Sequence, residues 1–207
     1  MSLGLLPRLQ SWRFHYGLDM LVAAYRRAAD GPEADKMRAE ASLKDWVASP
    51  SYQEHPDPQG YSDHLAGLHE EAEVALRLIR EAFVISLFHF WERQAKAWTH
   101  SGSNYHHDDV IKMLTQQGFT PEADQLRLLQ LVANVAKHSA GRSAQELYEV
   151  RENLFRDPRR VLAPQIRLSD DAPYEPNYDD LLVPGALLQA FFDAVRKSGP
   201  PRAPLRF

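Results

Sequence analysis

The chain has 207 residues, 44% of them hydrophobic and 10% aromatic, enough to bury one sizeable core and form a single domain. A formal net charge of -4 gives no general drive toward nucleic acid or anionic membranes, so contact with RNA needs a local basic patch. The sequence has no cysteine, which excludes disulfides and thiolate metal sites, and it lacks a basic-then-apolar leader, so a cytoplasmic protein is expected.

The opening MSLGLLPRLQ carries Pro7, which argues against one uninterrupted helix, and a helix is predicted from about Ser11. On it Trp12, Tyr16, Met20, Ala23 and Arg27 share a face, and Leu18, Leu21, Val22 and Tyr25 widen the apolar surface toward a core. Asp30-Gly31-Pro32 is a breaker, so this helix is expected to stop there. A second helix, about Glu33 to Ala48, has few apolar residues (Met37, Leu43, Trp46 and Val47) and is expected to pair with the first as a hairpin.

Ser49 to Gly60 holds three prolines and a glycine and reads as a connecting loop and boundary. From about Ser62 to Trp98 there is no proline and only Gly67. Glu70, Glu71 and Glu73 make the early turns acidic, and beyond Val74 the helix is apolar nearly all round, which predicts a central, buried position. Its longest apolar run, Ala82 to Trp91, is too short to span a bilayer. His89, Glu92, Arg93 and Lys96 follow at helical spacings, with Glu92 and Lys96 placed to pair along the helix.

In HSGSNYHHDD, the residues His100, His106, His107, Asp108 and Asp109 are metal-ligand types. Adjacent imidazoles on a helix point about 100° apart, so no metal site is predicted. Asn104 as a cap, with Asp108 and Asp109 in the first turn, predicts a short helix ending near Gln117-Gly118. Thr120 as cap and Pro121 at the first helical position then open the next helix.

Leu126 to Phe155 reads as an amphipathic helix, a glycine turn and a second short helix. At about 100° per residue, Arg127, Asn134 and His138 fall within roughly 40° of one another, with Gln130 and Lys137 beside them. Leu126, Leu129, Val132, Ala133 and Ala136 take the other side, so this polar stripe faces solvent, a groove or a partner chain. Gly141 permits a left-handed exit, and Ser143 with Glu146 has the form of a capping box, which holds Arg142 near His138. Beyond Phe155, prolines and an acidic run predict an extended wrap with one short strand at Val161 to Leu168. A last helix, Gly185 to Lys197, buries Leu187, Leu188, Phe191, Phe192 and Val195.

The six residues Ala133 to His138, ANVAKH, resemble the signature helix of the HEPN superfamily. Nuclease members of these small all-helical domains carry an Arg, usually followed by an Asn or other polar residue, and a His within two turns. Asn134 and His138 match that pattern, and Ala133 stands where the family has Arg. The similarity runs from Glu70 to Phe155. It implies an all-α, HEPN-like bundle in one domain, made of an N-terminal helical hairpin (1–59), a core (60–155) and a Pro-rich C-terminal wrap ending in a short helix (156–207). It further implies a homodimer with its site at the interface, RNA as substrate, no cofactor, and a toxin-antitoxin or phage-defence setting. Glu92 resembles the acidic residue such domains carry on a core helix facing the Arg/His helix.

To cleave RNA without metal, a base must take the ribose 2'-hydroxyl proton while cations stabilise the charge developing on the phosphate. His138 suits the base role, because histidine ordinarily titrates nearest neutral pH. Asn134 and Glu92 would support it, with Lys137, Arg127 and Arg142 as the available cations; a Lys lacks the bidentate fork of an Arg. A plainer reading stands beside this one: a Lys-His pair at a helix C-terminus answers the macrodipole, and Asn134 can bond a loop carbonyl. With Ala133 in place of Arg and an acidic overall charge, the chain also fits a non-catalytic helical interaction or assembly module with a protein partner. Under either function Glu92 is expected to converge with Arg127, Asn134 and His138, because a carboxylate on so apolar a helix needs a cation.

Overall fold

A computed structural model describes residues 5–101, 106–138, 140–156, 176 and 178–202, and the chain is all-α. Among these residues the helices are α1 (Leu5–Ala48), α2 (Ser51–Glu54), α3 (Pro58–Thr99), α4 (His107–Gln116), α5 (Ala123–His138), α6 (Arg142–Arg151) and α7 (Gly185–Lys197). Single 3-10 turns lie at Glu152–Leu154 and Tyr178–Asp180. No helix among the described residues is long and apolar enough to cross a membrane. The chain gathers into two compact units, one of Met1–Val22 with Glu81–Phe207 and one of Ala23–Arg80, and α1 and α3 contribute to both.

In the Ala23–Arg80 unit the expected break at Asp30-Gly31-Pro32 does not occur, since α1 continues through Pro32 to Ala48. The predicted hairpin of two N-terminal helices is therefore one helix, and its antiparallel partner is the start of α3. Tertiary contacts override the local breaker. Ala29 and Ala39 are buried with Leu65, Ala72 and Leu76 of α3, and Lys36 pairs with Glu73 while Arg80 lies 3.7 Å from Glu33. The Lys36 ammonium, by hydrogen bond and charge, holds the Glu73 carboxyl below its ordinary range against the effect of burial.

At the turn of this hairpin Trp46 packs on Tyr61 at 4.7 Å and on His55 at 5.2 Å, and its Nε1–H points to the Pro58 carbonyl at 3.4 Å. Helix α3 starts at Pro58, earlier than the predicted Ser62. Asp57 Oδ1 accepts the Gly60 N–H at 2.9 Å, so an aspartate cap precedes a proline at the first helical position.

In the other unit α3 is central, as its composition predicts, with Val84, Leu87, Trp91 and Ala95 buried. The first turns of α1 lie against its far half: Phe14 stacks on Phe90 at 5.6 Å and meets Trp98 edge-on at 5.1 Å. A Cβ on Gly17 would come within 2.9 Å of Phe90 Cε2, so the two helices approach closely there. The face of α1 predicted to turn inward is so only in part. Leu18, Val22 and Tyr25 are buried as expected and Phe14 joins them, whereas Trp12, Tyr16 and Met20 are exposed.

Helix α3 ends with His100 in the left-handed region at φ 53° and the Ser101 N–H bonded back to the Lys96 carbonyl at 3.2 Å. Helix α4 begins after His106, and the predicted cap Asn104 lies outside the described residues. Its predicted stop holds, with Gly118 at φ 86°. Helix α5 begins at Ala123, later than the predicted Thr120 cap, the Glu122 carbonyl accepting the Leu126 N–H at 3.0 Å. It packs on α6 and α7. The predicted strand at Val161 to Leu168 lies outside the described residues, but the chain on either side of it is joined: Arg156 N–H reaches the Asp180 carbonyl and Leu182 N–H the Leu154 carbonyl, each at 2.7 Å, about a Phe155–Leu181 antiparallel bridge.

Candidate functional site

Helix α5 carries the polar stripe as its least buried face. Leu126, Leu129, Val132, Ala133 and Val135 are buried, Arg127, Gln130, Asn134, Ala136 and Lys137 are half-buried, and His138 is exposed at the C-terminal end. The 3.6-residue period sets this, since the apolar positions face α6, α7 and the core. Lys137 and His138 occupy the last turn, where the helix macrodipole favours positive charge.

Arg127 sits at the centre of the stripe's contacts. It donates to Gln130 Oε1 at 2.7 Å and to Glu146 Oε1 at 2.5 Å, so its carboxylate partner comes from α6 and not from Glu92. Glu92 lies 3.3 Å from Lys96 and 3.4 Å from His89, both along α3, which is the helix-face pairing that the spacing allows. Glu146 is therefore taken from the capping box predicted for it. Helix α6 begins at Arg142, its N-cap is Gly141 at φ 119°, and that cap has no side-chain hydrogen bond. The backbone there is in a region open essentially to glycine alone, so the turn is made by Gly141 and not by Ser143. Arg142 is exposed on α6.

Lys137 lies over the Phe88 ring of α3, 5.4 Å from its centroid, a cation-π contact that engages its ammonium. Ala133 is fully buried, so the position where the family resemblance has Arg points into the core.

One buried titratable side chain was not foreseen in the sequence reading. His107, treated as a helix-start residue, is buried against Trp91 with ring centroids 5.3 Å apart, and both its ring nitrogens and the Trp91 Nε1 lack hydrogen-bond partners. Burial, reinforced by the Arg127 charge and partly opposed by Asp108, lowers the His107 pKa to about 4. The signal available in the sequence was its neighbour: His106 and His107 point apart on the helix, His106 exposed and His107 inward. Among the described residues no three His, Asp or Glu side chains gather as a metal site.

Chemically, then, α5 offers one exposed imidazole beside a half-buried amide, with the neighbouring cations held by Glu146 and Phe88. Comparison of this chain with protein-family models, curated proteins and solved structures returns no match.

Proposed function

We propose that this chain is a non-catalytic helical interaction module that receives a protein partner on the outward face of the first turns of α1. The observation that carries this reading is the stripe Leu9, Trp12, Tyr16 and Met20, each 40 to 51% exposed. Its spacing is that of a helix seam, and Trp12 and Tyr16 are already stacked at 5.1 Å, so two large anchors are ordered before binding. On the helical wheel Arg13 flanks the stripe, which favours an amphipathic partner helix with an acidic margin. The burial of Ala133 supports the non-catalytic half of the reading, because the cation of the HEPN resemblance has no place there.

A photo-crosslinking residue at position 16, with position 112 as the exposed control, tests this. The reading requires an adduct at 16 alone, with a protein whose rebinding to the purified chain is abolished by Trp12→Glu. Light scattering distinguishes a second copy of this chain, the homodimer, from a different partner. Equal crosslinking at both positions sinks it.

A second reading is RNA binding or metal-independent RNA cleavage, of the kind found in toxin-antitoxin and phage-defence systems. It draws on His138, exposed at the end of α5 with Asn134 one turn before it. Incubation with total RNA, wild type against His138→Ala, decides it: cleavage lost in the variant supports the reading, and equal cleavage or none removes it.

A further inference from the structure

Away from the α5–α6 seam the structure holds a cleft of about 550 Å³, within the ordinary size range of small-molecule sites. It lies by the N-terminal end of α5, whereas His138 ends that helix about 23 Å further along, at 1.5 Å per residue. Its apolar wall is Trp98 at the end of α3, stacked on Phe119 with ring centroids 5.3 Å apart and planes within 15°. Both rings are half-buried and line the space.

The opposite wall is the end of α7 and the chain just after it, and it is firmly fixed. Ser11 Oγ donates to the Pro201 carbonyl and His15 Nε2 bonds the Pro200 carbonyl, each at 2.8 Å, while Gly199 lies so near Phe14 that no side chain fits there. This wall carries three cations. Arg196 and Arg202 share Asp19, at 2.7 and 2.6 Å, and Lys197 meets Glu122 at 2.6 Å. Asp193 of α7 also acts on Lys197, so carboxylates and cations are equal in number here, and an anion would be held by hydrogen-bond donors and not by net charge. Each guanidinium carries five N–H donors in a planar fork, so a ligand anion can be bound beside Asp19.

His15 belongs to the same fixed wall. It is 6% exposed, and because a carbonyl only accepts, its Nε2 carries the proton in the neutral ring. Nδ1 is then an acceptor, buried and without a partner. That atom has no exposed surface, so His15 fixes the wall and does not itself meet a ligand.

We propose that this cleft binds a small planar aromatic anion of nucleoside-monophosphate size. Its ring lies against Trp98 and Phe119, and its anionic group meets Arg202, Arg196 and Lys197. This site goes beyond the docking role of α1 and does not depend on it.

The test is calorimetric titration of the full chain with AMP and GMP, and separately with adenosine, guanosine and inorganic phosphate. One of the monophosphates should bind in the micromolar range, and the nucleosides and phosphate at least tenfold more weakly. Arg202→Ala and Lys197→Ala, whose side chains are 68 and 62% exposed, should each weaken binding about tenfold with an unchanged melting temperature. Failure of both monophosphates to bind at 1 mM overturns the proposal, as does an affinity that neither substitution alters.

Discussion

Arg127 of α5 and Glu146 of α6 meet at 2.5 Å, and the same guanidinium helps to keep the buried His107 unprotonated. One cation thus joins two helices and acts on the buried imidazole beside them. The two side chains are 43 and 36% exposed, so water screens the pair. Glu146→Gln should lower the free energy of unfolding by under about 1 kcal/mol in urea melts. A loss of about 3 kcal/mol or more would mark a desolvated pair and contradict the exposure.

His107 gives the protein a pH dependence of definite sign. In the unfolded chain the imidazole has its ordinary value of 6.5, and in the fold burial and Arg127 lower it to about 4. The unfolded state therefore takes up the proton first. The stability contributed by this group is complete above about pH 6.5, is lost progressively as pH falls toward 4, and changes no further below that. The difference amounts to on the order of 3 kcal/mol. Urea midpoints at pH 7.5 and 5 should move apart in the wild type and much less in His107→Phe; equal movement in both would assign the dependence to another group.

Placing at Ala133 the Arg of the HEPN resemblance should not create a nuclease. The side chain there is fully buried, so Ala133→Arg forces an unpaired guanidinium into the core, which costs about 3 to 5 kcal/mol. Thermal melting should show the loss, and RNA should remain intact. A stable variant that cuts RNA would mean that the Arg reaches the surface and that the HEPN resemblance extends to chemistry.

What the sequence made legible follows physical lines. Helix α3 was readable because a long stretch without proline and with a single glycine is apolar nearly all round, and the α4 stop because Gly118 supplies the positive φ. The course of α1 was not, since Asp30-Gly31-Pro32 is a strong local signal and the contacts that override it, Lys36 with Glu73 among them, come from distant sequence. Its orientation was ambiguous for another reason: Trp12, Tyr16 and Met20 form one apolar face and Phe14 and Leu18 another, and only packing decides which is buried. On α5 the stripe could be seen as a helix face. Its charge pairing could not, because Glu146 also fits a capping box and only the seating of α6 on α5 brings it to Arg127.

The two glycines of α1 should respond to the same substitution with opposite signs. Gly31 is exposed, and a Cβ there meets nothing within 4 Å. Gly31→Ala therefore keeps every contact and gains helix propensity, about 0.5 to 1 kcal/mol of added stability. Gly17 has the same intrinsic gain available. Its new Cβ, however, would lie 2.9 Å from Phe90 Cε2, and Phe90 is stacked on Phe14, which is fully buried and also meets Trp98. The ring cannot withdraw without disturbing that cluster, so overpacking of about 1 to 3 kcal/mol outweighs the propensity term. Urea unfolding of the two single variants measures both. If Gly17→Ala were as stabilising as Gly31→Ala, the close approach of α1 to α3 at Phe90 would be wrong, and with it the seating of the α1 turns that leaves Trp12 and Tyr16 facing outward.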